Sequence, residues 1–165
     1  MTAQLIDGTR IAADLREQVR QRAQALRATG IVPSLAVVLV GEDPASQIYV
    51  RNKIKASAQA GIESSHVTLP ADVSREVLLA TIRQLNTDAR VHGILVQLPL
   101  PSHLDSREVI ELIDPVKDVD GFHPSNAGAL YTGSPRFVPC TPLGVMTLIG
   151  TTGLALRGAR AVVVG

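Results

Sequence analysis

Six consecutive aliphatic residues, Leu35-Ala36-Val37-Val38-Leu39-Val40, sit between two segments whose apolar residues recur at helical spacing. A short, β-branched run without polar alternation is the pattern of a strand covered on both faces, as in a parallel sheet, and not of a half-solvated antiparallel one. Before it, Ile11, Leu15, Val19 and Leu26 form a helical stripe over residues 9–29, with Gly30 as the left-handed residue past its end. After it, Gly41-Glu42-Asp43-Pro44 turns the chain into a helix that runs to about Ala60 and closes at Gly61. The cycle then repeats. Residues 64–69 read as a second strand, 74–88 as a helix with Val77, Leu78, Ile82 and Leu85 on one face, and Gly93–Val96 as a third strand. Alternation of this kind predicts an α/β fold with a mainly parallel sheet and right-handed crossovers, whose ligands lie beyond the carboxyl ends of the strands.

The later chain carries three more expectations. Asp105 followed by Glu108 has the form of a capping box for a helix reaching about Ile113, and Thr141-Pro142 places a cap and an N1 proline before a helix over 143–149. Residues 160–165, Arg160-Ala161-Val162-Val163-Val164-Gly165, have the form of a buried strand entering a glycine turn. Dinucleotide-binding folds begin with such a strand, so Gly165 stands where the phosphate-holding turn would start. The expected division is a first domain over 1–138 and the first elements of a Rossmann-type second domain over 139–165, truncated at Gly165.

Charge narrows the partners. Sixteen Lys and Arg oppose fifteen Asp and Glu without long blocks of either sign, which argues against a nucleic-acid stripe or a membrane-surface patch and favours a small molecule. The apolar runs are about a third of the ~20 residues that a membrane-spanning helix needs, and the first residues, with Asp7 among them, show no export pattern. Cys140 is the only cysteine, which fits a reducing cytoplasm.

Four segments carry candidate chemistry. In Ser46-Gln47-Ile48-Tyr49-Val50-Arg51-Asn52-Lys53-Ile54-Lys55, a phenol and an amine four residues apart leave one helix face, although Arg51, Lys53 and Lys55 also fit a solvated basic face. In Gly93-Ile94-Leu95-Val96-Gln97-Leu98-Pro99-Leu100-Pro101 the prolines end the strand near Gln97, placing an amide at the ligand edge, where it caps the loop or serves the site. Asp114-Pro115-Val116-Lys117-Asp118-Val119-Asp120 holds three carboxylates. Their spacing matches no EF-hand loop, so no metal is expected; they cap turns, pair with Lys117 or grip the N–H groups of a ligand, and for Asp120 the cap and the grip stay open. Cys140 in Pro139-Cys140-Thr141-Pro142 stands at a helix start, where a thiol pKa can fall, but no histidine is placed beside it by spacing, and a structural cysteine is expected.

Together, in this order and at these intervals, the four segments resemble the bifunctional methylenetetrahydrofolate dehydrogenase/methenyltetrahydrofolate cyclohydrolase family over essentially the whole chain. The resemblance implies oxidation of 5,10-methylenetetrahydrofolate by hydride transfer to NADP, then hydrolysis of the methenyl product to 10-formyltetrahydrofolate, in the one-carbon metabolism of the cytoplasm. It implies Lys53 as acid/base, Gln97 as its uncharged partner, Tyr49 as a platform for the pterin, and Asp120 as acceptor from the pterin amino and ring N–H groups. Tetrahydrofolate derivatives are the implied ligands, and a homodimer the implied full-length assembly. The family's cofactor fingerprint continues past the strand as Gly-Arg-Ser-x-x-Val-Gly-x-Pro, of which only Gly165 is present. An inactive folate-binding fragment is therefore the alternative to an active enzyme. Tyr-x-x-x-Lys also marks short-chain dehydrogenases, but Val40-Gly41-Glu42-Asp43-Pro44 lacks their glycine pattern.

Overall fold

The computed structural model describes residues 5–164. Six helices and three strands are described, in the order α1 (Gly8–Ala28), β1 (Ser34–Val40), α2 (Pro44–Gln59), β2 (Glu63–Leu69), α3 (Arg75–Thr87), β3 (Gly93–Val96), α4 (Ser106–Leu112), α5 (Pro124–Tyr131) and α6 (Cys140–Gly150). The strands form one parallel sheet ordered β2-β1-β3. The predicted α/β alternation and parallel sheet are thus observed.

The unbroken apolar run of β1 has its reason in two covered faces. Ala36, Val38 and Val40 join Ile94 and Val96 of β3 in packing against Leu78, Leu79 and Ile82 of α3 and Val109 of α4. Val37 and Leu39, one residue out of phase, join Leu95 against Val50 and Ile54 of α2. The period of two along the strand sends successive side chains to opposite layers, and both layers are apolar.

Helix ends follow local chemistry. Asp7, Asp43 and Ser74 each accept a hydrogen bond from a backbone N–H in the first turn of the helix they precede. Gly30, Gly61 and Gly133 take left-handed φ values of 85°, 74° and 82° just past α1, α2 and α5, and return their N–H groups to the carbonyls of Arg27, Ala58 and Leu130.

Several expectations need correction. α5 was not anticipated, although Pro124 at its first turn and Gly133 past its end are a start and a stop signal. On α3, Val77 is exposed and Leu79 takes the core position, because α4 packs on that side. The stripe of α1 is largely open, with only Ala23 buried. Asp105 does cap α4, but it accepts from Arg107 N at 2.8 Å, and Glu108 forms no capping box because its carboxylate pairs with Arg75 of α3. α6 starts at Cys140 behind Pro139 with no side-chain cap, so Thr141 lies inside the helix. Residues 160–164 form no strand, and Val162, Val163 and Val164 are exposed, having no neighbouring strand among the described residues to pair with. Gly165, expected to begin the phosphate-holding turn, lies outside the described residues.

Candidate functional site

Asp43 opens α2 by accepting from Ser46 N at 2.7 Å, an N–H that holds the Asp43 carboxyl below its ordinary range, and Pro44 supplies the first helical φ. Val50 and Ile54 then fasten the helix to the sheet. Tyr49 and Lys53 each precede one of these anchors by one residue, about 100° around the helix, and so lie along the edge where the core meets solvent. Tyr49 is exposed and Lys53 half-buried.

The lysine meets the end of β3. Its Nζ donates to Gln97 Oε1 at 3.1 Å. Gln97 is held three ways: its backbone N–H donates to Val38 O at 2.9 Å, its amide Nε2 donates to Leu98 O at 2.8 Å, and its oxygen receives the lysine. Because the amide nitrogen is occupied by a carbonyl, the orientation of the amide follows, and its oxygen faces Lys53. The adjoining Leu98–Pro99 bond is cis. The same amide thus ties its own loop and meets the amine.

Asp120 reaches this edge through a parallel register. Ile94 of β3 bridges Asp118, and Ile94 N donates to Lys117 O at 2.7 Å, so chain 117–120 runs beside β3 toward the same carboxyl end as Gln97. Gly93 permits the approach, because a Cβ there would lie 2.5 Å from Val119 Cγ1. The three carboxylates of this segment have separate fates. Asp114 caps its own turn by accepting from Val116 N, and Asp118 is buried in hydrogen bonds to His123 N and Asn126 Nδ2. Asp120 accepts no hydrogen bond among the described residues. Lys117 pairs with none of them; its ammonium donates to the carbonyls of Leu85, Asn86 and Asp88 at the end of α3. Sequence pattern alone did not single out Asn126 or this use of Lys117.

The field of the site has definite directions. Burial pushes the Asp120 carboxyl above its ordinary range, Lys53 draws it back, and Asp118 raises it further. Cys140 is exposed by surface area, yet the protein packed around its thiol and the Asp120 carboxylate both raise its pKa, with Lys53 opposing. A raised thiol suits the structural role expected of Cys140 better than a nucleophile. Lys53, Gln97, Asp120 and Cys140 thus share one edge, with Tyr49 a turn away on α2. An amine held by a neutral acceptor can exchange protons with a bound molecule, and a free carboxylate beside it can accept N–H groups. Three surface hollows lie elsewhere, one between α3 and α4, one at the amino ends of the strands and one between α1 and the end of α6, and none of them includes these residues. Among the described residues no cluster of three or more His, Cys, Asp or Glu could hold a metal ion, and no helix is long and apolar enough to cross a membrane.

Comparison with known proteins gives this edge a family. The chain is 61% identical over all 165 residues to the bifunctional protein FolD of Bordetella avium, covering 58% of that relative, and 61% identical to that of Ralstonia pickettii, covering 57%. The chain thus spans little more than half the length of these curated relatives. Among solved structures, the bifunctional FolD methylenetetrahydrofolate dehydrogenase/cyclohydrolase of Campylobacter jejuni superposes with a TM-score of 0.89 at 47% identity, over 91% of this chain and 54% of that one. The Trypanosoma brucei methylenetetrahydrofolate dehydrogenase-cyclohydrolase, solved with NADP and an inhibitor, superposes with a TM-score of 0.88 at 37% identity, over 93% and 54%. Residues 6–120, ending at the candidate carboxylate, match the family described as tetrahydrofolate dehydrogenase/cyclohydrolase, catalytic domain, and the chain belongs to that family.

Proposed function

We propose that this chain forms the folate-binding face of a bifunctional enzyme that oxidises 5,10-methylenetetrahydrofolate with NADP and hydrolyses the methenyl product to 10-formyltetrahydrofolate. The observation that carries the proposal is the Lys53 Nζ to Gln97 Oε1 contact of 3.1 Å at the carboxyl end of β3, with the Asp120 carboxylate in the same field. Family membership and the names of the relatives support the same chemistry.

Asp120 accepts from the pterin amino and ring N–H groups, a bidentate match open to a carboxylate that accepts no hydrogen bond among the described residues. Tyr49 lies flat against the pterin and its bridging carbon. Lys53 then faces the N–C–N bridge. In hydrolysis, water adds to the methenyl carbon and the amine takes the proton that it sheds. As the bond from that carbon to N5 breaks, the lysine returns a proton to N5 and the added oxygen becomes the formyl carbonyl, so one proton is released overall. Gln97 keeps the nitrogen aimed without adding a charge that would hold it protonated, as a carboxylate would.

When bound, NADP supplies the hydride acceptor. Its pyrophosphate needs a strand, a glycine turn and a helix, whereas residues 160–164 are exposed and form no strand, so the described residues do not build that site. The division into a folate-binding domain over 1–138 and the start of a cofactor domain over 139–165 is part of the proposal. It is supported by a buried apolar core that runs from Ala23 to Ile113 and by an α6 with no buried residue. A homodimeric, cytoplasmic enzyme completes it.

The test is Lys53→Ala in the whole protein, with folding verified by circular dichroism. Both methenyltetrahydrofolate hydrolysis and NADP-dependent oxidation should fall by at least ~100-fold, the scale of general acid–base catalysis. Near-normal turnover in either assay removes Lys53 from that mechanism.

A further inference from the structure

Two buried polar side chains meet beside the segment that carries Asp120. Asp118 is 2% exposed and Asn126 3% exposed, and they meet through Asn126 Nδ2 and Asp118 Oδ2 at 2.8 Å. Asp118 closes the turn that presents Asp120 at both ends: its backbone carbonyl accepts from Gly121 N at 3.3 Å and its carboxylate accepts from His123 N at 2.8 Å. Asn126, from α5, fixes that carboxylate and ties it to the start of the same segment through a second Nδ2 bond to Pro115 O at 2.9 Å. Both side-chain bonds end on the same oxygen, Oδ2, and a buried charge depends on such partners, so they fix which way the Asp118 carboxylate is turned. We propose that Asp118 and Asn126 are positioning residues for pterin recognition, holding the Asp118-to-His123 turn so that the Asp120 carboxylate stands ready for two N–H groups while Lys53 and Gln97 do the proton chemistry.

This rests on the folate role of Asp120 proposed above. A pre-set carboxylate reads a two-donor edge, whereas a loosened one accepts from either donor alone, so the positioning pair governs discrimination more than bulk affinity. An overall loss of folding would weaken all ligands equally; loss of positioning removes preference.

The experiment is a double-mutant cycle on Asn126→Ala and Asp120→Asn, with Asp118→Asn as a near-isosteric second variant that keeps the side-chain volume should Asn126→Ala fold poorly. The readout is the calorimetric Kd for 5-formyltetrahydrofolate and for its 2-desamino analogue. Wild type should prefer the amino compound, and Asn126→Ala or Asp118→Asn should reduce that preference roughly tenfold, as expected for a charge-assisted hydrogen bond. In the Asp120→Asn background either change should cost little more, since both act through the same carboxylate. Preference retained in Asn126→Ala and Asp118→Asn, or full additivity with Asp120→Asn, overturns the positioning role while leaving the folate site intact. If wild type shows no preference, or Asp120→Asn binds as wild type does, the folate role of Asp120 fails and the positioning role with it.

Discussion

Gly93→Ala tests how closely the segment carrying Asp120 must lie against the sheet. Gly93 begins β3 and is buried, and its missing side chain leaves the space into which Val119 packs. A Cβ built there would lie 2.5 Å from Val119 Cγ1 and 3.4 Å from Leu35 Cδ1. The Leu35 tip can shift by tenths of an ångström, but the Val119 methyl has to move by about 1–1.5 Å to reach an ordinary carbon–carbon distance of about 3.5–4.0 Å. Overpacking of this kind costs about 1–3 kcal/mol, which for a chain of this length is a fall in Tm of about 2–12 °C. Val119 is next to Asp120, so the displacement also drags the carboxylate, and folate affinity should fall with stability. The double variant Gly93→Ala/Val119→Ala separates the causes, because Val119 Cβ is 3.8 Å from the added methyl, an ordinary contact. Paired thermal melts and folate titrations should show both properties falling in the single variant and partly recovering in the double. A Gly93→Ala protein as stable and as tight-binding as wild type, or a double variant worse than the sum of its parts, would refute the close-approach explanation.

Two further outcomes follow from the electrostatics of the site. Burial raises the folded-state pKa of Asp120, so between its unfolded value of about 3.8 and that raised value the folded chain holds more protons than the unfolded one, and stability falls as pH rises. Asp120→Asn should therefore melt higher than wild type at neutral pH while binding folate more weakly, with the stability gain vanishing below the ordinary carboxylate range; a gain that persists in acid would mean that the charge is not its source. The Asp120 carboxylate also raises the Cys140 thiol, so iodoacetamide should alkylate Cys140 faster in Asp120→Asn than in wild type at the same pH, and equal rates would place the two groups in separate fields.

What was legible in the sequence was whatever depends on local period and local sterics. The unalternated run 35–40 announced a doubly covered strand, and Gly30 and Gly61 marked helix ends through their positive φ, because such patterns are decided within a few residues of chain. The same local logic placed Tyr49 and Lys53 on one face and ended β3 beside Gln97. It over-reached where an outcome needs a neighbour: Glu108 fits a capping box by spacing but is drawn to Arg75 across two helices, and 160–164 are strand-like in composition yet pair with nothing among the described residues. Lys117 read as a partner for the carboxylates beside it and Asn126 carried no signal, since nothing near them in sequence reveals that Asn126 meets buried Asp118 and Lys117 the carbonyls at the end of α3. By itself, then, the sequence determined the element order as far as β3, the two-faced sheet and the residues able to carry proton chemistry. Only the tertiary structure decided which of them meet, because the Lys53 to Gln97 contact spans 44 positions and the register of Asp118 on Ile94 joins segments that local preferences cannot align.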